Sequence, residues 1–455
     1  MISAEKKPLI SMHDRLRAAG IRLPVALAVG LGLFFPLMPS QVLSDPDDAW
    51  WNKSRELTLQ ERRARRQQFK DAFTAKLGPE YETNIPFVSR QSIDGLGQAI
   101  AKYRQIVSNG GWRPLPGNGI IRPNDFGKHV YELRRRLAMT GDLRAKSRRP
   151  RGFDGTLQDA VARFQLRHGL RVTGFVGSRT RRVLDIPAEV RLRQLETNQV
   201  RLQDLMRINK AKRYVLVNIP AYKLQAVESG TVALQSKVVV GKPTTRTNLL
   251  TAKIQGLNFY PYWRVPDSIA RRDLIPQIRK DPGYFDKLNF RLLPSWGAKP
   301  IPPEQIDWSS PDIYKRKFRQ EPGPGNALGV LRINMPNKHI LYLHDTPLKR
   351  LFDQNTRAFS AGCVRVKRVL GLAAWLVNDV MGWTPMRIET TVALGTSENV
   401  RLKKPVPVHF VYVTAWSTGN GIVQFRPDLY DRDDIGVKVA KFDASKIAGS
   451  RAIAP

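Results

Sequence analysis

The chain predicts a multidomain α+β architecture: helical units first, then a β-rich domain interrupted by a long insertion. Three observations support this reading. Its 455 residues exceed what one compact domain holds. Apolar residues recur at helical spacing up to about residue 208, then switch to short alternating runs from about residue 213. Over 264–326 the alternation stops, and prolines crowd around the helical stretch Ile269–Lys280. An excursion of that length inside a compact domain is usually a lid or a binding insertion.

The elements follow in order. Lys6, Lys7, Arg15, Arg17 and Arg22 precede an apolar stretch from Leu23 to Leu43. A basic leader before an apolar run is the pattern of an export signal, so 1–44 is expected to be a signal peptide or a membrane anchor. Residues 45–86 read as a basic linker, with a solvated helix near Leu57–Phe73 broken by the run ERRARRQQ. Residues 87–150 read as a helical scaffold. Ile93, Leu96, Ile100, Tyr103 and Ile106 mark one helix; Val130, Leu133 and Leu137, closed by Gly141, mark another. Arg144–Arg151 reads as an exposed basic loop. Residues 151–188 form a small unit in which Leu157, Ala160, Val161 and Phe164 make one apolar helix face. Residues 189–212 form an amphipathic connecting helix. The β-rich domain is expected over 213–435, with 264–326 as its lid, and 436–455 as a tail.

Composition narrows function. Lys and Arg number 75 against 39 Asp and Glu, a formal charge of +36. Such charge calls for a polyanionic neighbourhood. Behind an export signal that means an anionic cell-wall or membrane surface rather than nucleic acid. The single cysteine, Cys363, excludes an internal disulfide framework and any Cys-based metal cluster within one chain. The histidines show no metal-ligand spacing, so no metal and no cofactor is expected.

The stretch Ile340–Val366 carries the chemistry. Ile340, Tyr342 and His344 would share one face of a strand, with His344 at its end. Nineteen residues later comes Ser360-Ala361-Gly362-Cys363. Small residues before the cysteine leave room for a substrate carbonyl and let backbone N–H groups point at it. Cysteine attacks as thiolate, and a nearby imidazole can take its proton. Tyr342, Ser360, Arg365 and Trp263 are candidate substrate contacts, each with a structural alternative: core, turn, loop brace and packing respectively.

Two resemblances sharpen this. Val161, Phe164, Gln165, Gly169, Leu170, Gly174, Gly177, Thr180 and Leu184 match the pattern of the three-helix peptidoglycan-binding module, with Thr173 where an acidic residue is common. His344, Ser360, Gly362, Cys363, Val364 and Arg365 resemble the signature of L,D-transpeptidases with the YkuD-type catalytic fold. Ala361 stands where most members carry a second histidine, as in the large periplasmic branch, which has a scaffold, a wall-binding module and a lid. That resemblance implies the following expectations. Cys363 attacks a peptidoglycan stem peptide to form a thioester, with His344 as base and the amides of Gly362 and Cys363 as oxyanion donors. An acceptor amine then gives a 3→3 cross-link, carbapenems acylate the same thiol, and the protein resides in the periplasm. The alternatives are an L,D-carboxypeptidase, an enzyme attaching proteins to the wall, and a non-catalytic wall-binding protein.

Overall fold

The computed structural model describes residues 58–434, except 79, 80, 82, 209 and 210. The expected leader (1–44) and tail (436–455) lie outside the described residues. Among the described residues no helix is long and apolar enough to cross a membrane.

The first helix, α1 (Leu59–Leu77), opens on a reciprocal capping box between Thr58 and Glu61. Its far end is seated rather than solvated: Phe73 and Leu77 pack with Ala162 and Val172, and Lys76 pairs with Asp159 at 2.7 Å. The expected free linker is therefore docked at this end.

The helical region does not divide at residue 150. Helices α2 (Arg90–Ser108), α3 (Lys128–Thr140), α4 (Gly155–Arg167), α5 (Ser178–Leu184) and α6 (Ala188–Ile208) follow in order. Val130, Leu133 and Leu137 of α3 share one core with Leu157, Ala160, Val161 and Phe164 of α4 and Val183 and Leu184 of α5. So α3 is the first helix of the small module, which reaches back across the boundary expected at 150. The buried amide of Gln165 brackets the module's turn. Its Oε1 accepts from the N–H of Thr173 and Gly174, and its Nε2 donates to the Phe175 carbonyl and the Thr180 hydroxyl. The motif residue Gln165 thus holds the turn.

Helix α2 belongs elsewhere. Leu96, Ile100 and Tyr103 of α2 and Leu195 and Leu202 of α6 pack on Tyr214, Leu216, Val413, Trp416 and Phe425. The expected scaffold and connecting helices therefore form one layer on the β-domain.

That domain contains β1 (Arg213–Asn218), β2 (Lys223–Glu228), β3 (Thr231–Gly241) and β4 (Leu250–Phe259). The insertion supplies β5 (Trp263–Arg264), β6 (Phe290–Leu293) and β7 (Lys317–Gln320). Then come β8 (Leu331–Asn334), β9 (Leu343–His344), β10 (Ala358–Ser360), β11 (Val364–Val366), β12 (Glu398–Val411), β13 (Ala415–Ser417) and β14 (Val423–Phe425). The main sheet runs β10-β3-β11-β9-β8-β4-β12-β1-β2, and β2 also pairs with β3. Eight strands thereby close on themselves, and β10 adds a short edge beside β3. Closure leaves few unpaired backbone groups. Alternation sorts the side chains: Val215 and Val217 of β1 face the barrel core, while Tyr214 and Leu216 face the helical layer. The helix Val369–Leu376 fills the core with Val369, Leu372, Ala373 and Leu376.

The insertion is a small domain with its own core. Trp263, Val265, Ile269, Leu274, Phe285, Phe290, Ile313 and Phe318 cluster together, and Tyr342 and Ala361 of the barrel pack against them. It sits over the stretch that bears Cys363, as a lid does.

Leu137→Ala, a fully buried site in α3, is expected to cost about 2–5 kcal/mol. The exposed Tyr131→Ala on the same helix should stay within about 0.5 kcal/mol. Hydrogen exchange checks the boundary: α4 amides should exchange faster in Leu137→Ala, and unchanged α4 protection would restore a boundary at 150.

Candidate active site

The approach to the site is built on a polar turn. Asn337 Oδ1 accepts from the N–H of His339 and Leu341, and its Nδ2 donates to the Met335 and Leu341 carbonyls. This twists Ile340 to φ +52° and leaves its side chain exposed. Ile340 therefore does not extend the strand as expected, and regular pairing begins at Leu343. His344 then has neighbours on both sides. It pairs with Arg332 across the antiparallel β8 and with Arg365 across the parallel β11. Leu343 and Val364, opposite each other, face the barrel core. Two-residue alternation then places Tyr342 and His344, with Cys363 and Arg365, on the other face, under the insertion. Sequence spacing left the meeting of His344 and Cys363 open; adjacent strands bring them to one face.

Cys363 is half-buried, with Sγ 4.0 Å from the Ile340 carbonyl. Burial pushes its thiol up to about 11; hydrogen bonds from Tyr342 and the positive charges of Arg365 and Arg332 work against this without overcoming it. His344 is fully buried, and neither ring nitrogen has a hydrogen-bond partner. Burial first and Arg365 second hold its imidazole well below the usual histidine range, with the Asp345 backbone acting weakly the other way. Near neutral pH the pair is thus a thiol and a neutral imidazole. Asp345 does not orient the ring. Its carboxylate is tied to Lys349 and accepts from the Val330 N–H. Tyr342 lies edge-on to His344, ring centroids 5.7 Å apart, and burial raises its phenol well above its usual range.

The loop holding the sulfur is braced by side chains. Ser360 Oγ donates to the Cys363 carbonyl at 2.5 Å and accepts from the Gly362 N–H at 3.2 Å. Ser360 is buried, so it is a turn residue and not the expected substrate contact. The same bond corrects the expectation for Gly362: its amide is engaged by Ser360, whereas the Cys363 amide is unbonded within the described residues. What the turn requires of Gly362 is its φ of +131°, which a side chain would strain. Thr245 Oγ1 donates to the Ser360 carbonyl and Thr247 Oγ1 to the Gly362 carbonyl. Tyr430 Oη bridges in turn, accepting from the Thr247 N–H and donating to the Gly241 carbonyl.

Two further expectations change. Trp263 is sealed in the insertion core, its ring centroid 6.3 Å from that of Phe290; Tyr342 packs against that core, and Trp263 does not line an open cleft. Arg365 is also sealed, at 1% exposure, with no hydrogen-bond or ion-pair partner among the described residues. Burial lowers its guanidinium to about 10, while the sulfur of Cys363 pulls the other way. It acts on the thiol and the imidazole, and a substrate carboxylate cannot reach it in this state. Sequence reasoning missed Arg332, Thr245, Thr247 and Tyr430. The three braces come from loops far along the chain, with no local pattern. Arg332 could have been found from strand alternation, since it precedes the buried Ile333.

Comparison with known proteins fits this geometry. Residues 212–408 match the family described as the L,D-transpeptidase catalytic domain (YkuD), and residues 127–184 match the putative peptidoglycan-binding domain. The β-rich half of the chain is thus similar to YkuD-type L,D-transpeptidase catalytic domains. The second match includes α3, in agreement with the shared core of α3, α4 and α5. A curated relative, a putative L,D-transpeptidase of Haemophilus influenzae, is 37% identical over 220 residues, covering 48% of this chain. The chain spans 44% of that relative's length. Among solved structures, the L,D-transpeptidase of Stackebrandtia nassauensis is 14% identical, covering 64% of this chain and 94% of that one at a TM-score of 0.24. That of Xylanimonas cellulosilytica is 16% identical, covering 65% and 99% at a TM-score of 0.21.

A thiol raised by burial is unreactive until it loses its proton. Alkylation of Cys363 by iodoacetamide should therefore climb about tenfold per pH unit and reach half its maximum near pH 11. A plateau by pH 8 would show that burial does not control this thiol.

Proposed function

We propose that the protein is a cysteine L,D-transpeptidase acting on peptidoglycan stem peptides. The observation that carries this is the placement of His344 on β9 and Cys363 at the start of the adjacent parallel β11, on one face, beneath the insertion. Sγ attacks the carbonyl of the third stem residue as His344 takes its proton. A carbon–sulfur bond forms. The Cys363 N–H stabilises the oxyanion. The tetrahedral intermediate collapses, the amide bond to the terminal D-alanine breaks, and His344 returns the proton to the departing amine. The thioester that remains is opened by an amine from a neighbouring stem: a 3→3 amide forms, and the sulfur leaves as thiolate and regains a proton through His344.

The resting protonation states suit this order. With the thiol raised and the imidazole lowered, no imidazolium–thiolate pair stands ready. Proton transfer accompanies attack, so reaction depends on a substrate seated in the site. Burial also raises the worth of each dipole aimed at the developing charge.

The peptidoglycan-binding domain would hold the wall nearby, and the surplus of basic residues would favour an anionic wall or membrane surface. We place the protein in the periplasm, on the basic leader and apolar run alone, and expect carbapenems to acylate Cys363. Water as acceptor would make the enzyme a carboxypeptidase, and product analysis separates the two.

Incubation with a stem tetrapeptide should add the tripeptide acyl mass to the protein and release D-alanine, and Cys363→Ala should do neither. Intact-protein mass spectrometry reads both. A wild-type protein that neither acylates nor releases D-alanine, yet pulls down with sacculi as Cys363→Ala does, would make this a binding protein instead.

A further inference from the structure

The site holds more positive charge than its own residues neutralise. Arg332, half-buried on β8, shares the outward face with His344, its partner across β9. Its guanidinium lies 5.8 Å from the centre of the Tyr342 ring, and its Nε donates to Asn258 Oδ1 at 3.0 Å. Neither terminal nitrogen has a hydrogen-bond or ion-pair partner among the described residues. Arg264 stands close enough to repel it, and no carboxylate offsets the pair: the groups acting on Arg332 are Tyr342, Arg264 and the sulfur of Cys363. Arg264 is exposed at the root of the insertion, its guanidinium 5.2 Å from the centre of the Trp296 ring, and it too lacks an ion-pair partner. The acids of this region are committed elsewhere: Glu321 to Arg319, Asp267 to Lys317, Asp345 to Lys349.

Like charges from the barrel wall and the insertion disfavour each other here, and a bound anion would relieve that repulsion. Strands lie about 4.8 Å apart, so β8 and β11 are separated by roughly 10 Å. An arginine reaching along the face from β8 covers much of that span toward the sulfur. In the donor peptide, the carboxylate of the residue that leaves lies only three bonds beyond the scissile carbonyl carbon.

We propose that Arg332, assisted by Arg264, forms a carboxylate subsite that binds the free C-terminal carboxylate of the donor stem peptide and so sets the residue to be expelled beside Cys363. This rests on the transpeptidase reading and names the group by which that site selects its donor. Arg332 is a specificity residue here. A guanidinium meets a carboxylate through two parallel N–H···O bonds, which a lysine matches only as a point charge. Arg365, sealed behind the sulfur, is left to act on the thiol.

Binding, measured without turnover, tests the subsite separately from the chemistry. The full chain carrying Cys363→Ala is titrated calorimetrically with a stem tetrapeptide bearing either a free C-terminal carboxylate or a C-terminal amide. The acid should bind about 10–100-fold more tightly than the amide, the usual strength of charge-assisted hydrogen bonds. In Cys363→Ala/Arg332→Gln that ratio should fall to within threefold of one, with amide binding unchanged. Arg332→Lys should retain part of the preference, and Arg264→Gln should lose a smaller part. An acid that binds no more tightly than the amide, or no measurable binding of either, overturns the proposal. So does a preference that survives Arg332→Gln. D-alanine release by the wild-type chain reports on catalysis independently of these results.

Discussion

The parallel pairing of β9 with β11 is the contact on which the site depends. It sets Leu343 against Val364 in the barrel core and His344 against Arg365 on the opposite face. Because strand side chains alternate, the register that buries the two apolar residues also decides where the imidazole, the sulfur and the guanidinium go. A slip of one residue would turn His344 into the core and Leu343 toward the insertion. Core packing therefore enforces the active geometry, and the closed sheet leaves β9 and β11 no free edge along which to slide. Ser360, Thr245, Thr247 and Tyr430 add a second restraint by fixing the carbonyls of the loop that carries the sulfur.

Electrostatics at the site is a contest that desolvation wins. Arg332 and Arg365 both favour a thiolate, and Tyr342 hydrogen bonds do the same, yet the thiol stays above its ordinary range. The imidazole shows the mirror image: burial and Arg365 both disfavour its protonated form, and among the described residues no carboxylate bonds either ring nitrogen. On this face Tyr342 and Ala361 pack against the core of the insertion. A resting site of this kind protects a lone cysteine from oxidation, because the reactive form is scarce until a substrate brings its carbonyl within reach.

Much of the fold was legible from local pattern. Short alternating runs marked the β-rich domain from residue 213, helical spacing marked α2 through α4, and prolines marked the insertion. The Cys363 motif and His344 were legible as residue types. What stayed hidden is long-range. Nothing near Val215 announces that it pairs in parallel with Val408, or that β2 turns back on β3 to close the barrel. The α3 stripe was read correctly as helix but assigned to the wrong unit, since periodicity says which face is buried and not against what. Trp263 and Arg365 were misjudged for the same reason: exposure depends on tertiary packing that local pattern does not show. Ser360 and Gly362 were read by type, and only the turn geometry shows that the hydroxyl occupies the glycine amide.

In the mechanism we propose, His344 removes the proton from Cys363 during attack. The most direct measurement is the rate of carbapenem acylation at Cys363 at pH 7, followed by intact mass, in the wild type and in His344→Gln. The account predicts acylation at Cys363 alone in the wild type and a loss of about 10²–10⁴-fold in the variant. In both proteins, alkylation by a small neutral reagent near pH 11 should remain similar, since hydroxide then replaces the base. Acylation of His344→Gln at the wild-type rate would contradict it.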